Sequence, residues 1–193
     1  MSLPPTDTDI SGDRFRESLR AAYWEQDAIL RERHNRSLPL QDAMIDRWER
    51  ARQLGFEEGV SIYNSAVVFG DVKVGRDTWI GPYVILDGSG HGLSIGSTCS
   101  ISSGVHIYTH DSIAWALSGG KAAYHHAPVT IGNCCYIGSQ AVISAGVTIG
   151  QCCVIAANSF VNRDVPANTI VGGTPARQIG TVEFDDSNPR LVF

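Results

Sequence analysis

Aliphatic side chains recur at every sixth position through most of residues 62–161. Small or β-branched residues stand four positions after them, and glycine often follows them directly. In a β-strand with one buried face, apolar residues would instead recur at about every second position. The aliphatic positions form three runs, which are Ile62, Val68, Val74, Ile80 and Leu86, then Ile95, Ile101 and Ile107, then Ile131, Ile137, Ile143, Ile149, Ile155 and Val161.

This period predicts a coil with three flat sides. The chain must turn a corner after each hexapeptide, so that about 18 residues close one triangular coil, and neighbouring coils stack at about 4.8 Å as parallel strands do. The aliphatic residues then form a ladder inside the prism, and glycine suits corners where a Cβ would strain the turn. We therefore predict a mainly β protein whose core is a parallel β-helix of hexapeptide repeats.

The five cysteines fit this interior better than they fit a disulfide framework or a zinc site. They include the adjacent pairs Cys134-Cys135 and Cys152-Cys153, whose spacing matches no zinc motif, and their number is odd. Cys135 and Cys153 fall at the second inward position of hexapeptides one coil apart. We expect them to pack as small apolar residues.

Two insertions interrupt the ladder, and the repeat returns in phase after each. The shorter insertion is DGSGHG at residues 87–92, and we expect the longer one to leave the solenoid as a protruding loop at residues 111–128. Long loops in compact domains are usually functional or disordered. The side chains of this loop favour a functional role for it, and they include Trp115, Tyr124, His125 and His126.

The segments outside the repeat have a different character. Residues 11–55 are charged, with apolar residues at helical spacing, and Ser37 and Pro39 suit the start of a second helix. We expect two helices near the first coils, either as a cap on the open end of the solenoid or as part of the substrate site. The predicted division is a helical segment at 1–58, the β-helix at 59–180 and a tail at 181–193.

Composition and charge limit the kinds of partner that we expect this protein to bind. The net charge is -5, whereas phosphate backbones attract basic surfaces, so we expect no nucleic-acid partner. No apolar run reaches the roughly 18 residues that a membrane-spanning helix needs, so we expect no integral membrane segment. The first ten residues lack the basic-then-apolar pattern of a signal peptide. These features favour a cytoplasmic protein.

Three stretches of the repeat region resemble the hexapeptide-repeat acetyltransferases. They are GVHIYTHD at residues 104–111, PVTIGNCCYIGSQAVISAGVTIG at 128–150 and NSFVNRDVPANTIVGGTPARQIG at 158–180. The D-V-P…G-G-x-P-A-R ending is the most specific of these, because nothing in the repeat demands it. The likeness is greatest to sugar O-acetyltransferases of the maltose and galactoside type and to related polysaccharide-modifying enzymes. It implies a left-handed β-helix, a homotrimer and acetyl-CoA as acyl donor, without a metal.

The resemblance also implies an active site between two subunits. His110 occupies the position of the family's general base, and an imidazole suits proton abstraction near neutral pH. Asp87, about one turn of the solenoid away, and Asp111 are candidates to orient this imidazole, although an ordinary solvated turn Asp is the alternative for Asp87. Positions along the acetyl-CoA groove are matched by Tyr136, Ser139, Ala157, Asn162, Arg163 and Arg177, the last three near the phosphates. We expect the acceptor to contact Asp111, Trp115, Tyr124 and His125.

Two departures from the family bear on the acceptor. Tyr136 stands where many relatives have Trp, so the aromatic wall is kept with different packing. The acceptor-binding Asn of the maltose and galactoside enzymes has no clear equivalent, and DGSG occupies its region. The acceptor is therefore expected to differ from theirs.

The predicted activity is transfer of an acetyl group to a hydroxyl of a sugar or polysaccharide precursor, and alternatives remain. N-acetylation of an amino-sugar nucleotide would use the same fold and donor. A γ-type carbonic anhydrase also uses this helix, but its neighbouring zinc ligands are spaced by five, whereas His106 and His110 are spaced by four. A non-catalytic scaffold is the third alternative, which His110 and the matched groove residues oppose.

Overall fold

The computed structural model describes residues 12–186 and 188–193 of the chain. Residues 1–11 of the predicted helical segment and residue 187 of the predicted tail lie outside this range. The chain divides into two compact units, Met1–Asp46 and Arg47–Phe193. Within the described residues, every helix is too short or too polar to cross a lipid bilayer.

The described part of the helical segment, residues 12–58, contains three helices where the sequence predicted two. The first unit holds α1 (Gly12–His34) and α2 (Leu40–Met44), and the second unit begins with α3 (Arg47–Gln53). The predicted second helix is divided because Ile45 is extended, with φ -119 and ψ 126, which ends α2. The start of that helix after Pro39 is as predicted.

The strands of the second unit follow the hexapeptide repeat. They are β1 (Ser61–Ile62), β2 (Val67–Val74), β3 (Trp79–Ile80), β4 (Ile85–Ile95), β5 (Ser100–Ile101), β6 (His106–Tyr108), β7 (His110–Asp111), β8 (His125–His126), β9 (Val129–Ile131), β10 (Tyr136–Ile137), β11 (Val142–Ile143), β12 (Thr148–Ile149), β13 (Val154–Ile155), β14 (Phe160–Val161), β15 (Thr169–Gly172), β16 (Arg177–Asp185) and β17 (Asn188–Val192). A short helix, α4 (Ile113–Leu117), lies between β7 and β8.

Parallel stacking of these strands forms the three flat faces of a prism. The first face consists of β1, β3, β5, β10, β13 and β15. The second face consists of the first halves of β2 and β4 with β6, β11 and β14, and the third consists of their second halves with β9 and β12. Successive coils pair in register, so that Ile137 lies between Ile101 and Ile155. The predicted parallel β-helix is confirmed.

The interior is the predicted aliphatic ladder. Every ladder residue except Val68, which is partly buried, is at most 4% exposed. Cys135 and Cys153 are buried one coil apart, as predicted, and Cys99 stacks on Cys135 in the coil before. The Cys135 thiol donates a hydrogen bond to the Gly150 carbonyl at 3.0 Å, so these side chains also satisfy backbone groups at the corner above.

The two ends of the prism are closed in different ways. At the first coil, α3 packs against β1 and contributes the buried Ala51, and Phe56 follows it into the core. At the last coil, β15 pairs with β16 in antiparallel orientation, and β16 pairs with β17 in the same way. The segment predicted as a tail is thus largely a β-hairpin that ends the parallel stack.

Candidate active site

Both insertions leave the solenoid at the corner between the second and third faces. In one coil, β4 carries residues 87–92 round this corner. In the next coil, β6 ends at Tyr108 and the chain returns as β9 at Val129. Asp87 is paired in parallel register with Tyr108. The repeat therefore places the short insertion directly beside the start of the long one.

This stacking brings Asp87 and His110 into contact. Asp87 Oδ2 lies 3.0 Å from His110 Nδ1, with the Asp87 side chain 5% exposed and the His110 side chain 32% exposed. We assign the hydrogen to Nδ1 because the carboxylate can only accept there. Nε2 then keeps its lone pair and can accept a proton. The geometry suits a base whose partner stabilises the protonated ring.

Ser89 holds the carboxylate in place and Thr109 holds the backbone of the same turn, and neither residue was predicted from the sequence. The backbone N–H and the hydroxyl of Ser89 donate to Asp87 Oδ1 at 2.9 and 2.5 Å, which leaves Oδ2 for His110. Thr109, fully buried, donates to the Asp87 carbonyl and accepts from the Gly90 N–H, both at 2.8 Å. The Asp-x-Ser spacing, which is typical of an Asx turn, was the available signal for Ser89.

The second carboxylate candidate has another partner. Strands β7 and β8 form an antiparallel pair in which Asp111 faces His125 and His110 faces His126. Asp111 Oδ2 lies 3.2 Å from His125 Nδ1, and its Oδ1 accepts the Ile113 N–H. Of the two predicted orienting residues, Asp87 is the one that contacts His110.

Aromatic rings of the loop extend from His110. The Tyr124 ring lies nearly parallel to the His110 ring, at 6° with centroids 6.3 Å apart, and the His126 ring lies 5.8 Å from that of His110. Trp115, on α4, meets Tyr124 edge to face at 5.8 Å. Both Trp115 and Tyr124 are partly exposed. Together with the imidazoles, they form a row of rings along one face of the His110 ring.

Three of the predicted acetyl-CoA residues lie on or near the first face. Ser139 and Ala157 occupy equivalent positions in adjacent coils at the corner between the first and second faces, where the Asn158 N–H donates to the Ser139 carbonyl at 2.9 Å. A Cβ on Gly138 would lie 2.6 Å from the Ala157 nitrogen, so glycine allows this close stacking. Tyr136, on β10, is 46% exposed.

The other three line one pocket in the last coils of the prism. Asn162, Arg163 and Arg177 border a pocket of about 220 Å³. Asp164 also borders it, and its carboxylate accepts the Thr148 N–H at 2.7 Å. Both arginines are exposed, so the pocket presents two guanidinium groups and one carboxylate that is already hydrogen-bonded. Guanidinium groups of this kind suit phosphate oxygens.

A single chain places His110 and the Ser139–Ala157 pair at two different corners. His110 lies at one edge of the second face, and Ser139 and Ala157 lie at the other edge. Between them, the outward residues of the second face form a strip that is mainly apolar and partly exposed, which we call the second-face strip: Val67, Ile85, His106, Val142 and Phe160.

Metal ligation gains no support from the side-chain arrangement. Over residues 12–186 and 188–193, His, Cys, Asp and Glu side chains form no group of three or more that could hold a metal ion. His106, which the carbonic anhydrase alternative would need beside His110, has its Nδ1 3.2 Å from the Tyr108 hydroxyl.

Comparison with known proteins identifies relatives of this chain. Residues 128–163 match the family model described as bacterial transferase hexapeptide (six repeats). A hexapeptide-repeat-containing acetyltransferase from Vibrio cholerae is 32% identical with a TM-score of 0.61, over 86% of this chain and 91% of that one. The structure of this enzyme complexed with acetyl coenzyme A matches with 30% identity and a TM-score of 0.55, over 90% of this chain and 91% of that one.

Two further proteins match this chain, one by its solved structure and one by its sequence. A maltose O-acetyltransferase from Clostridium difficile 630 is 25% identical with a TM-score of 0.55, over 88% of this chain and 87% of that one. Protein CapG from Staphylococcus aureus is 40% identical over 94 residues, which are 47% of this chain and 54% of CapG. The chain therefore spans about half the length of this curated relative.

Proposed function

This chain belongs to the hexapeptide-repeat acetyltransferases, with their left-handed β-helix fold, and we propose that it transfers the acetyl group of acetyl-CoA to a hydroxyl of a sugar or polysaccharide precursor. The observation that carries the proposal is the Asp87–His110 pair, in which Nε2 keeps its lone pair and the imidazole stacks with Tyr124 of the loop. The acetyl coenzyme A complex of the Vibrio cholerae relative supports the donor. The maltose O-acetyltransferase supports a sugar hydroxyl as acceptor.

His110 supplies the general base that a hydroxyl acceptor needs. Nε2 takes the hydroxyl proton while the acceptor oxygen bonds to the acetyl carbon, and the carbonyl oxygen gains the electron pair. The carbon–sulfur bond then breaks, and the imidazolium returns the proton to the departing sulfur. The Asp87 carboxylate stabilises the imidazolium between these steps. The products are an acetyl ester and free CoA thiol.

The loop supplies the acceptor contacts in this proposal. Trp115 and Tyr124 offer ring faces, on which the apolar face of a sugar ring packs well. Asp111 and His125 are held together at 3.2 Å, so either side chain can hydrogen-bond a sugar hydroxyl from a fixed position. His126 stacks beside the base and extends the row of rings along that face of His110.

The arginine pocket suits the phosphates of the donor, which gives a prediction for Arg177. Replacing Arg177 by alanine should raise the KM for acetyl-CoA by about 10- to 100-fold, the effect of losing a hydrogen bond to a charged group, and should lower kcat less. Steady-state kinetics with acetyl-CoA varied at saturating acceptor will measure both. Arg76→Ala is the matched control, because Arg76 pairs with Glu58 in the first coils. An unchanged KM for acetyl-CoA together with a raised KM for acceptor would assign Arg177 to the acceptor site.

The division of the site between two corners supports a homotrimer in which each active site combines two chains. A neighbouring subunit can bring its Ser139–Ala157 corner to His110, whereas one chain holds these groups at opposite edges of the second face. The second-face strip, which is mainly apolar, suits burial in such an assembly.

Subunit complementation tests this assembly. We expect a trimer in sedimentation equilibrium, and we expect His110→Ala and Ala157→Trp each to be inactive alone. Coassembly of the two variants should restore activity, because some mixed sites pair an intact His110 with an intact Ala157 corner. A stable active monomer, or mixtures that stay inactive although exchange of subunits is shown by mass, would overturn the shared site.

N-acetylation of an amino-sugar nucleotide is the second candidate, since the donor site and the fold serve both reactions. A screen of sugars, nucleotide sugars and amino sugars with acetyl-CoA, followed by release of free thiol, tests the proposal. An ester product supports it. Turnover confined to amine acceptors would replace it with N-acetylation, and the absence of turnover with all sugars would overturn the acceptor class.

A further inference from the structure

The third corner of the prism, between the third and first faces, carries two thiols that the proposed reaction does not use. Cys134 lies between β9 and β10, and Cys152 lies at the equivalent place one coil later, between β12 and β13. Both are free thiols, Cys134 exposed and Cys152 partly exposed. The inner cysteines beside them, Cys135 and Cys153, are buried and point the other way.

The repeat holds these two thiols side by side. Tyr136 pairs with Val154 in register, which aligns Cys134 with Cys152 two residues earlier. The two residues have almost the same left-handed backbone conformation, with φ 57 and 55. Their side chains therefore leave neighbouring coils of the corner in the same direction.

The coil spacing distinguishes the bonds that this pair can make. Side chains that leave neighbouring coils in parallel keep about the 4.8 Å separation of their strands. A disulfide has its two Cβ atoms about 3.5–4.5 Å apart, so it would require the corner to close by about 0.3–1.3 Å. A cation bound in line between two thiolates needs sulfurs separated by two metal–sulfur bonds, which is about 4.6 Å if each bond has the Zn–S length of about 2.3 Å. The undistorted ladder matches the second requirement.

We propose that Cys134 and Cys152 form a binding site for one soft cation, of the type of Cu(I), held between the two thiolates. Thiolate ligands select soft cations over Mg²⁺ or Ca²⁺. Structural zinc needs four ligands, whereas the described residues offer no group of three. Binding of Cu(I) displaces one proton from each thiol, so the neutral pair becomes a complex of charge minus one, with no change in oxidation state.

Accessibility of this site in the assembled protein rests on the proposed function. If the corners at both edges of the second face lie at subunit interfaces, the second face must face the threefold axis. The corner that carries Cys134 and Cys152 is opposite the second face, so it then faces solvent. A cation can reach the thiols without entering the active site.

Anaerobic titration of the reduced protein with Cu(I), in competition with a chromogenic Cu(I) chelator, tests the site. Asparagine is the suitable replacement, because Asn168 holds the same conformation at this corner, with φ 58. We expect one copper per chain, and we expect Cys134→Asn and Cys152→Asn each to weaken binding by about 10²–10⁴-fold, the advantage of a second tethered ligand. X-ray absorption should show two sulfur ligands in the wild type.

Several results would overturn the proposal. If the wild-type protein competes with the chelator for Cu(I) no better than either single variant, the two thiols do not act together. Copper retained by the Cys134→Asn/Cys152→Asn double variant would place the site in the inner cysteine column. Consumption of both thiols by a mild oxidant to give a Cys134–Cys152 disulfide, without copper binding, would assign the pair to redox chemistry. The acetyl-transfer assay of the wild type is run separately, so failure of the proposed reaction is distinguished from failure of this site.

Discussion

Replacing His110 by alanine should lower kcat for acetyl transfer by about 10²–10⁴-fold, which is the usual contribution of a general base and corresponds to roughly 3–5 kcal/mol. The reason is that the acceptor hydroxyl loses its proton acceptor, while the loop aromatics and the arginine pocket remain. Binding of acetyl-CoA should therefore be unchanged. Initial rates at saturating acetyl-CoA give kcat, and calorimetric titration with CoA gives the affinity.

Two further variants isolate the role of the imidazole. Asp87→Asn keeps the shape of the carboxylate but removes its charge, so it should reduce kcat less than His110→Ala while leaving the KM for acetyl-CoA unchanged. His34→Ala, which removes an exposed imidazole at the end of α1, should have wild-type rates. If His110→Ala stays within a few-fold of the wild type with a good acceptor, the base assignment is wrong, and an amine acceptor that loses its proton unaided becomes the better explanation.

Removal of residues 112–124 should abolish most acceptor turnover and leave the solenoid folded. Asp111 and His125 are directly paired across β7 and β8, so an Asn-Gly turn can join them as a two-residue hairpin. The deleted segment includes α4, which buries no side chain, and hence the core loses nothing. Loss of the Trp115 and Tyr124 ring faces, at about 0.5–1.5 kcal/mol for each aromatic contact beyond its area burial, predicts a fall in kcat/KM for the acceptor of up to about 100-fold.

The measurement needs a readout of folding beside the kinetics. Thermal unfolding and affinity for CoA should match those of the wild type, and the KM for acetyl-CoA should be unchanged. The double variant Trp115→Ala/Tyr124→Ala, in the intact loop, should reproduce most of the kinetic loss. Full activity in the deletion variant would show that the loop does not contact the acceptor. A lower unfolding temperature in the deletion variant would contradict the view that the loop is independent of the core.

Most of the fold could be predicted because one period decides it. Each ladder residue sits at the first inward position of a hexapeptide, and burial follows from counting by six, as the nearly complete burial of these residues confirms. Helix boundaries were harder, since Leu40, Met44 and Trp48 have helical spacing although the backbone is extended at Ile45. The hairpin of β16 and β17 was missed because it lies after the repeat, where no period guides the assignment.

The site was predictable only as far as the coils determine it. Asp87 and His110 lie where the chain leaves the second face in successive coils, so their proximity could be expected from the register alone. The pairing of Asp111 with His125, and the stacking of His126 on His110, depend on how β7 and β8 fold back outside the repeat. Ser89 contacts Asp87 through a local turn, which the period of six does not encode.

The antiparallel hairpin at the last coil also limits how the molecule can associate. A parallel stack ending on β15 would present a row of unpaired backbone groups in the register of another coil, which could template end-to-end growth into filaments. Strand β16 occupies that edge in the opposite direction, and β17 follows it with Pro189, which has no N–H to offer a further strand. The hairpin thus covers the last parallel edge of the first face and protects that edge from polymerisation.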